Sequence, residues 1–282
     1  PGSYLAWKVE SDPILLPLAT LTNGDKTVVF QGMIHVGTES FYKSVIFDLE
    51  TALADGYKLY YEGVLPSTAQ GDDWFSTMLA GGGDLGENYQ QLAQACGIKF
   101  QLDYFGLLAK DAELHPERHV AADVTTEELR QEYVRLKAID ADFAGEAMEM
   151  EAALRGKEDG AGVEDSEMDA FLDWYQQGTD QQKNIAGILC RGVMSVALKS
   201  SMDGGDGIPL KPVILDFRNQ KLVERIVADE AKKIYITYGA AHLPGVIELL
   251  QAQTPAWEIA SLKWMRGMAA PKDYKKELII SQ

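Results

Sequence analysis

The sequence predicts an α/β fold with a central, mainly parallel sheet built from two βαβ-containing halves and a helical insertion or cap between them. Three observations carry this. A strand, helix and strand follow one another in under forty residues near the start, over 26–64. A similar order returns over 211–253. The stretch between, 125–200, has helical periodicity and many acidic residues. Consecutive βαβ units imply parallel strands with right-handed crossovers. The whole chain, 1–282, is read as a single α/β domain.

The elements follow in order. "KTVVFQGMIHV" (26–36) is a continuous apolar strand, "ESFYKSVIFDLETALADG" (39–56) a helix ending at Gly56, and "YKLYYEGV" (57–64) a second strand. Residues 65–89 are rich in loop formers and contain a glycine run. "YQQLAQACG" (89–97) reads as helix and "IKFQLDYF" (98–105) as a short strand. Thr125 and Glu128 form a capping box that opens the helical block, and "GKEDGAGVEDSE" (156–167) is a polar break inside it. After a loop at 200–212, "KPVILDFR" (211–218) reads as strand and 219–232 as helix. "KIYITYGAAH" (233–242) reads as strand and "LPGVIELLQAQ" (243–253) as helix, with Pro244 in its first turn. "WEIASL" adds an edge strand.

Composition excludes some functions. The formal net charge is −17. Such a charge repels phosphate backbones and anionic membrane surfaces, so nucleic acid is not an expected partner. No apolar run is long enough to span a bilayer. The opening "PGSYLAWKVE" is not a signal peptide, and its first residues look like a cloning scar. Compartment is therefore not legible, and export or membrane anchoring through a removed targeting segment stays open. Two cysteines, Cys96 and Cys190, are too few for a thiolate cage. One bridge could form, but two buried free thiols are the simpler expectation.

Strand ends point to a site. In open parallel sheets, ligands bind beyond the carboxyl ends of the strands. On this reading His35, Glu62, Arg218 and His242 all end strands at one edge. Each of these two histidines follows a glycine by three residues, in "GMIH" and "GAAH". Gly32 and Gly239 there provide for close packing or an unusual backbone angle. Two imidazoles and a carboxylate, His35, His242 and Glu62, suit a divalent transition metal. Arg218 cannot ligate a cation, but it can orient Glu62 or stabilise an oxyanion. A lone histidine at a strand end is commonly structural; two with matching flanks strengthen the functional reading.

The ordered set "GMIHVG", "YYEGV", "DFRN" and "YGAAHLPG" resembles the TraB/Tiki superfamily, which includes the pheromone-shutdown proteins and the Tiki proteases and, more distantly, ChaN-like and erythromycin-esterase-like proteins. The resemblance covers both α/β regions; the helical middle carries little of it. It implies a metal-dependent hydrolase-like fold, with manganese or cobalt preferred to zinc. It places His35, Glu62 and His242 in the metal or catalytic motifs and Arg218 at the family's arginine, with Asn219 beside it. Asp123 falls where relatives carry an acidic residue before a helix, but reads more simply as a helix cap. Glu39 reads as an exposed helix-start glutamate.

The leading expectation is a metal-dependent hydrolase, peptidase-like, acting on a peptide or protein. Glu62 is either ligand or general base. A non-catalytic peptide-binding protein of the pheromone-shutdown type and a metal-independent esterase-like enzyme are the alternatives. Other signals are discounted. His115 and His119 lack an HExxH arrangement and read as a solvated pair. "DGGDG" (203–207) lacks calcium-loop spacing, and "GGGDLGE" (81–87) lacks the Lys-Ser/Thr of a phosphate loop.

Overall fold

The computed structural model describes residues 2–79, 85–158, 177–202, 208 and 210–269. Its main sheet has six strands in the order β6-β4-β7-β2-β1-β8. These are β1 (Leu15–Thr22), β2 (Thr27–Met33), β4 (Lys58–Tyr61), β6 (His119–Ala121), β7 (Lys233–Gly239) and β8 (Glu258–Arg266). A small pair, β3 (Val36–Gly37) with β5 (Lys99–Phe100), lies apart from it. The α/β reading holds, with a mainly parallel sheet.

Parallel pairing runs through β6, β4, β7 and β2. Their carboxyl ends therefore share one edge. β1 is antiparallel to both β2 and β8. The β1–β2 hairpin turns at Asn23-Gly24, where Gly24 has φ +86° and the Asn23 side chain accepts from the Lys26 amide at 2.8 Å. Pro17 in β1 lies beyond the part of that strand that pairs with β2, so its missing N–H costs no bond there.

Each face of the sheet has its own core. Val45, Leu49 and Leu53 of the helix Glu39–Ala54 pack with Leu16, Leu59 and Tyr235. On the opposite side, Leu222, Val223 and Ile226 join Phe30, Ile234, Ile236 and Tyr238. Alternate residues of β7 thus face alternate cores, as the strand period requires.

The middle of the chain is helical as expected, with Thr126–Ile139, Ala141–Glu158 and Asp180–Met202 as its described helices. Thr125 and Glu128 form the expected capping box. "DGGDG" and residues 159–167 of the polar break lie outside the described residues, as does most of the glycine run at 81–84.

Three expectations are corrected. "KPVILDFR" is no strand. Pro212–Phe217 is a wide helical turn of the i→i+5 kind that runs directly into the helix Arg218–Ala228. Val213 is buried against Leu129, Tyr133 and Phe143 of the helical block, so the apolar run serves a helix–helix contact. A short apolar run does not distinguish the two on periodicity alone. Residues 98–105 form only the two-residue β5 before the chain turns helical at Leu102–Phe105. The cysteines are not free thiols: Cys96 and Cys190 are joined, with Cα atoms 5.1 Å apart across a sequence separation of 94.

That bridge ties the helix Leu85–Cys96 to the helix Asp180–Met202. Closing so long a loop removes much of the unfolded chain's freedom. Replacing both cysteines by alanine is expected to cost about 2–4 kcal/mol in urea unfolding, and a reducing agent is expected to lower the wild type to the same midpoint.

Candidate active site

The carboxyl ends of the four parallel strands deliver four side chains. His35 follows β2, Glu62 follows β4, Asp123 follows β6, and His242 ends a short turn (Ala240–His242) after β7. The helix Arg218–Ala228 adds Arg218 as its first residue and Asn219 as its second. Arg218 thus reaches the predicted site, but from a helix start.

Arg218 organises the cluster. Its Nη2 donates to Glu62 Oε1 at 2.6 Å and to Asp123 Oδ2 at 2.5 Å, and its Nε donates to Asp123 Oδ1 at 3.0 Å. Nη1 donates to the Ile214 carbonyl at 3.2 Å, one turn earlier in the wide helical segment. Asp123 also accepts from the Gly63 and Val124 amides. It is therefore no helix cap, since Thr125 takes that place. The side chain of Asp123 is completely buried. A largely buried cation between a fully buried carboxylate and a part-buried one satisfies the rule that charges leave water only when paired.

Glu62 is held at both oxygens. Oε1 meets Arg218, and Oε2 accepts from the Gly239 amide at 2.5 Å. Burial alone would raise its pKa. Arg218, His242 and His35 outweigh burial and hold the carboxyl well below the usual range. Glu62 is therefore a persistent anion, suited to binding a cation or orienting a histidine and poorly suited to accepting a proton.

His242 is set by Asn219. Its Nδ1 lies 2.7 Å from Asn219 Oδ1. An amide oxygen only accepts, so Nδ1 carries a proton, and in the neutral ring the lone pair is on Nε2. Nε2 lies 3.6 Å from Glu62 Oε1. A glycine makes room for this pairing: a Cβ on Gly245 would stand 2.4 Å from Asn219 Nδ2. The Pro-Gly of "HLPG" thus serves the histidine before it. Gly32 answers a packing need of another kind, because a Cβ there would meet Pro17 of β1 at 2.7 Å. Neither Gly32 nor Gly239 has a positive φ, and close approach explains Gly32 alone: a Cβ on Gly239 would stand 3.4 Å from Glu62 and 3.5 Å from His242, an ordinary contact, so the expected need for glycine there is not met.

His35 stands in the same cavity with other support. Its ring stacks on Tyr89 at 4.3 Å, and its Nδ1 lies 2.9 Å from Gln101 Nε2. Burial pushes its pKa down, an effect only partly offset by Glu62, with Arg218 and His242 adding to the depression. His35 is thus a neutral imidazole at neutral pH. With Gln101 donating, its ring proton lies on Nε2; ligation of a metal through Nε2 needs the Gln101 amide turned so that its oxygen faces the ring. Tyr89 and Gln101 come from a region with no strand-end pattern, and nothing in the sequence marked them.

A cavity of ≈ 320 Å³ opens above these groups. His35, Glu62, Arg218 and His242 line its floor, and Leu92, Met194, Leu198, Ile208 and Leu215 its walls. Two of the wall residues, Met194 and Leu198, come from the helical block, which thereby covers the site. As candidate metal donors, His242 and Glu62 form a pair, and His35 shares the cavity with them. Among the described residues no group of three or more His, Cys, Asp or Glu side chains is close enough to hold one ion.

The remaining candidates fall outside the cluster. Glu39 is half exposed and pairs with Lys43 at 2.7 Å. His115 is exposed, but His119 is not the solvated residue expected. Its ring is buried, with Nδ1 2.8 Å from the Tyr61 hydroxyl and Nε2 2.7 Å from Asp111 Oδ2.

Two outcomes follow. Asp123→Ala leaves Arg218 half-paired in a buried place, and a loss of about 3–5 kcal/mol in urea unfolding is expected. Stability is also expected to fall with acid in two windows. The folded-state pKa of His35 lies below its usual 6.5, so the unfolded chain takes up that proton first and stability drops as pH falls below about 6.5. The depressed carboxyl of Glu62 contributes stability above about 4.5, which is lost as pH falls toward its folded value. Unfolding measured across pH checks this, with His35→Gln flattening the first window and Glu62→Gln the second. Comparison with family models, with curated proteins and with solved structures finds no match to this chain.

Proposed function

We propose that the chain is a hydrolase of peptide or protein substrates, working at the floor of this cavity. One observation carries the reading. An ionised carboxylate and the lone pair of an oriented imidazole, Glu62 and His242, lie 3.6 Å apart beneath an apolar pocket that a side chain could fill. Structural ion pairs have no need of such a cavity; sites that bind and activate a small reactant do.

We further propose that a divalent cation, manganese or cobalt before zinc, belongs to the site, with His242 and Glu62 as its first ligands and His35 as the third. The donor chemistry suits such an ion. When bound, it would polarise a carbonyl and make water a better nucleophile. The protein's own groups do the rest. Asn219 orients the His242 ring and fixes its neutral tautomer with the proton on Nδ1, and Arg218 keeps Glu62 ionised and in place. Arg218 also lines the cavity, where its charge opposes the negative charge that builds on a carbonyl oxygen under attack. The TraB/Tiki resemblance supports this reading, and the Cys96–Cys190 bridge supports a location in an oxidising compartment.

A metal-free version is favoured by one observation. Glu62 is already engaged at both oxygens, and no third ligand stands close among the described residues. In that version His242 Nε2 is the general base that takes a proton from water, with the imidazolium stabilised by Glu62.

Calorimetry with manganese and cobalt, on wild type beside His35→Ala and His242→Ala, separates the two. Binding in the wild type that is lost in both variants, with their folds intact, is the expected result. No binding in the wild type, or hydrolysis that survives a chelator, removes the metal and leaves His242 as base. Under either version His242→Ala is expected to lower turnover by about 10²–10⁴-fold. Asn219→Ala acts only through His242, and a loss of about 10–100-fold is expected.

A further inference from the structure

A second cavity, of ≈ 360 Å³, adjoins the first. Met33, Glu62 and Gln101 line both, so these three side chains form the sill between them. The two differ in chemistry. Leucine, isoleucine and methionine make up most of the wall of the first, beside the stacked His35 and Tyr89 rings, a mainly aliphatic and adaptable surface. Tyr61, Phe105 and His119 form an aromatic wall of the second, with Leu102, Leu108 and Met33 completing its apolar lining.

The aromatic wall is rigid. Tyr61 meets Phe105 edge-on at 5.7 Å and stacks on His119 at 5.8 Å with planes 8° apart. The Tyr61 hydroxyl is bonded to His119 Nδ1, His119 Nε2 to Asp111, and Asp111 to Arg118 at 2.7 Å. This chain of bonds occupies the polar atoms of both rings, so the wall presents ring faces and edges to whatever enters. Such surfaces favour another aromatic ring, in edge-to-face or offset contact. Tyr61 also directly precedes Glu62, which couples the wall to the polar floor of the first cavity.

We infer that the second cavity is a subsite for an aromatic side chain, and that the substrate is a chain-like molecule laying an aliphatic group in the first cavity and an aromatic group in the second, with its backbone crossing the Glu62–Gln101 sill. This rests on the active-site reading above and deepens it by naming the substrate class: a peptide with adjacent aliphatic and aromatic residues. The bond between those residues passes closest to Glu62 and His242.

Two substitutions fill the second cavity from its rim. Ala109 and Ala112 line it from the short helix Ala109–Leu114, and neither lines the first cavity. The probes are the blocked peptides acetyl-Gly-Leu-Phe-Gly-amide and acetyl-Gly-Phe-Leu-Gly-amide, beside the matching peptides with Gly in place of Phe. Affinity is read by calorimetry at low temperature on wild type, Ala112→Phe and Ala109→Trp. In the wild type one Leu/Phe order is expected to bind about tenfold or more tighter than its Gly counterpart, the worth of burying one ring. Either filled variant is expected to erase that difference and leave the affinity for the Gly peptide unchanged. Equal affinity of the Phe and Gly peptides in the wild type overturns the inference, as does failure of every probe to bind. So does a difference that persists in both variants, or loss of Gly-peptide binding in both, which would show that the second cavity is not a separable subsite. Mass spectrometry of the same mixtures reads cleavage on its own. Binding without products would sink the hydrolase reading and leave the subsite standing.

Discussion

The site depends on one buried cation. Arg218 holds Glu62 from β4 and Asp123 from the end of β6, and it comes from the start of a helix whose second residue, Asn219, holds His242 from beyond β7. The guanidinium is pulled two ways. Burial would lower its pKa, but Glu62 and Asp123 outweigh burial and keep it permanently charged. Two strand ends and one helix start are thereby fixed relative to one another by a planar, bidentate group, and Asn219 ties in the third strand end. A lysine at the same place could not span both carboxylates in one plane.

Around that centre, division of labour follows from chemistry. Parallel strands bring their carboxyl ends to one edge without further cause, which accounts for the position of the polar floor. The helical block supplies Met194 and Leu198 to the apolar walls, so the polar floor is flanked by aliphatic side chains. Glu62 remains ionised because of Arg218, while burial keeps His35 neutral. An anion, a neutral imidazole and a second imidazole with a fixed tautomer thus share one cavity. Environments that push neighbouring titratable groups to different protonation states are the usual preparation for proton chemistry.

Much of this was legible. His35, Glu62 and His242 announce themselves because each ends an apolar run, and sheet topology turns that sequence position into a spatial one. Arg218 was legible as a site residue though not as a helix start: the run "PVILDF" satisfies either a strand or a buried helix, and only packing on Leu129 and Phe143 decides. Asp123 was visible as an acidic residue before a helix. Its pairing with Arg218 was not, because the two lie 95 residues apart and only tertiary structure brings them together. Helix Gly2–Ser11 and β1 went unread. Pro17 argues against a strand, and the Asn23-Gly24 hairpin signal between β1 and β2 is the clue that outweighs it. Tyr89, Gln101 and the Tyr61–His119–Asp111 chain carry no spacing that sets them apart from ordinary surface residues.

The most direct test of the central claim is hydrolysis itself. Wild type and His242→Gln, with and without added manganese or cobalt, would be incubated with a diverse mixture of synthetic peptides and the products read by mass spectrometry. The variant keeps a side chain of similar reach but has no imidazole. New peptide ends produced by the wild type and absent with His242→Gln are the expected result. No products from the wild type under any of these conditions, or the same products from the variant, would contradict the account.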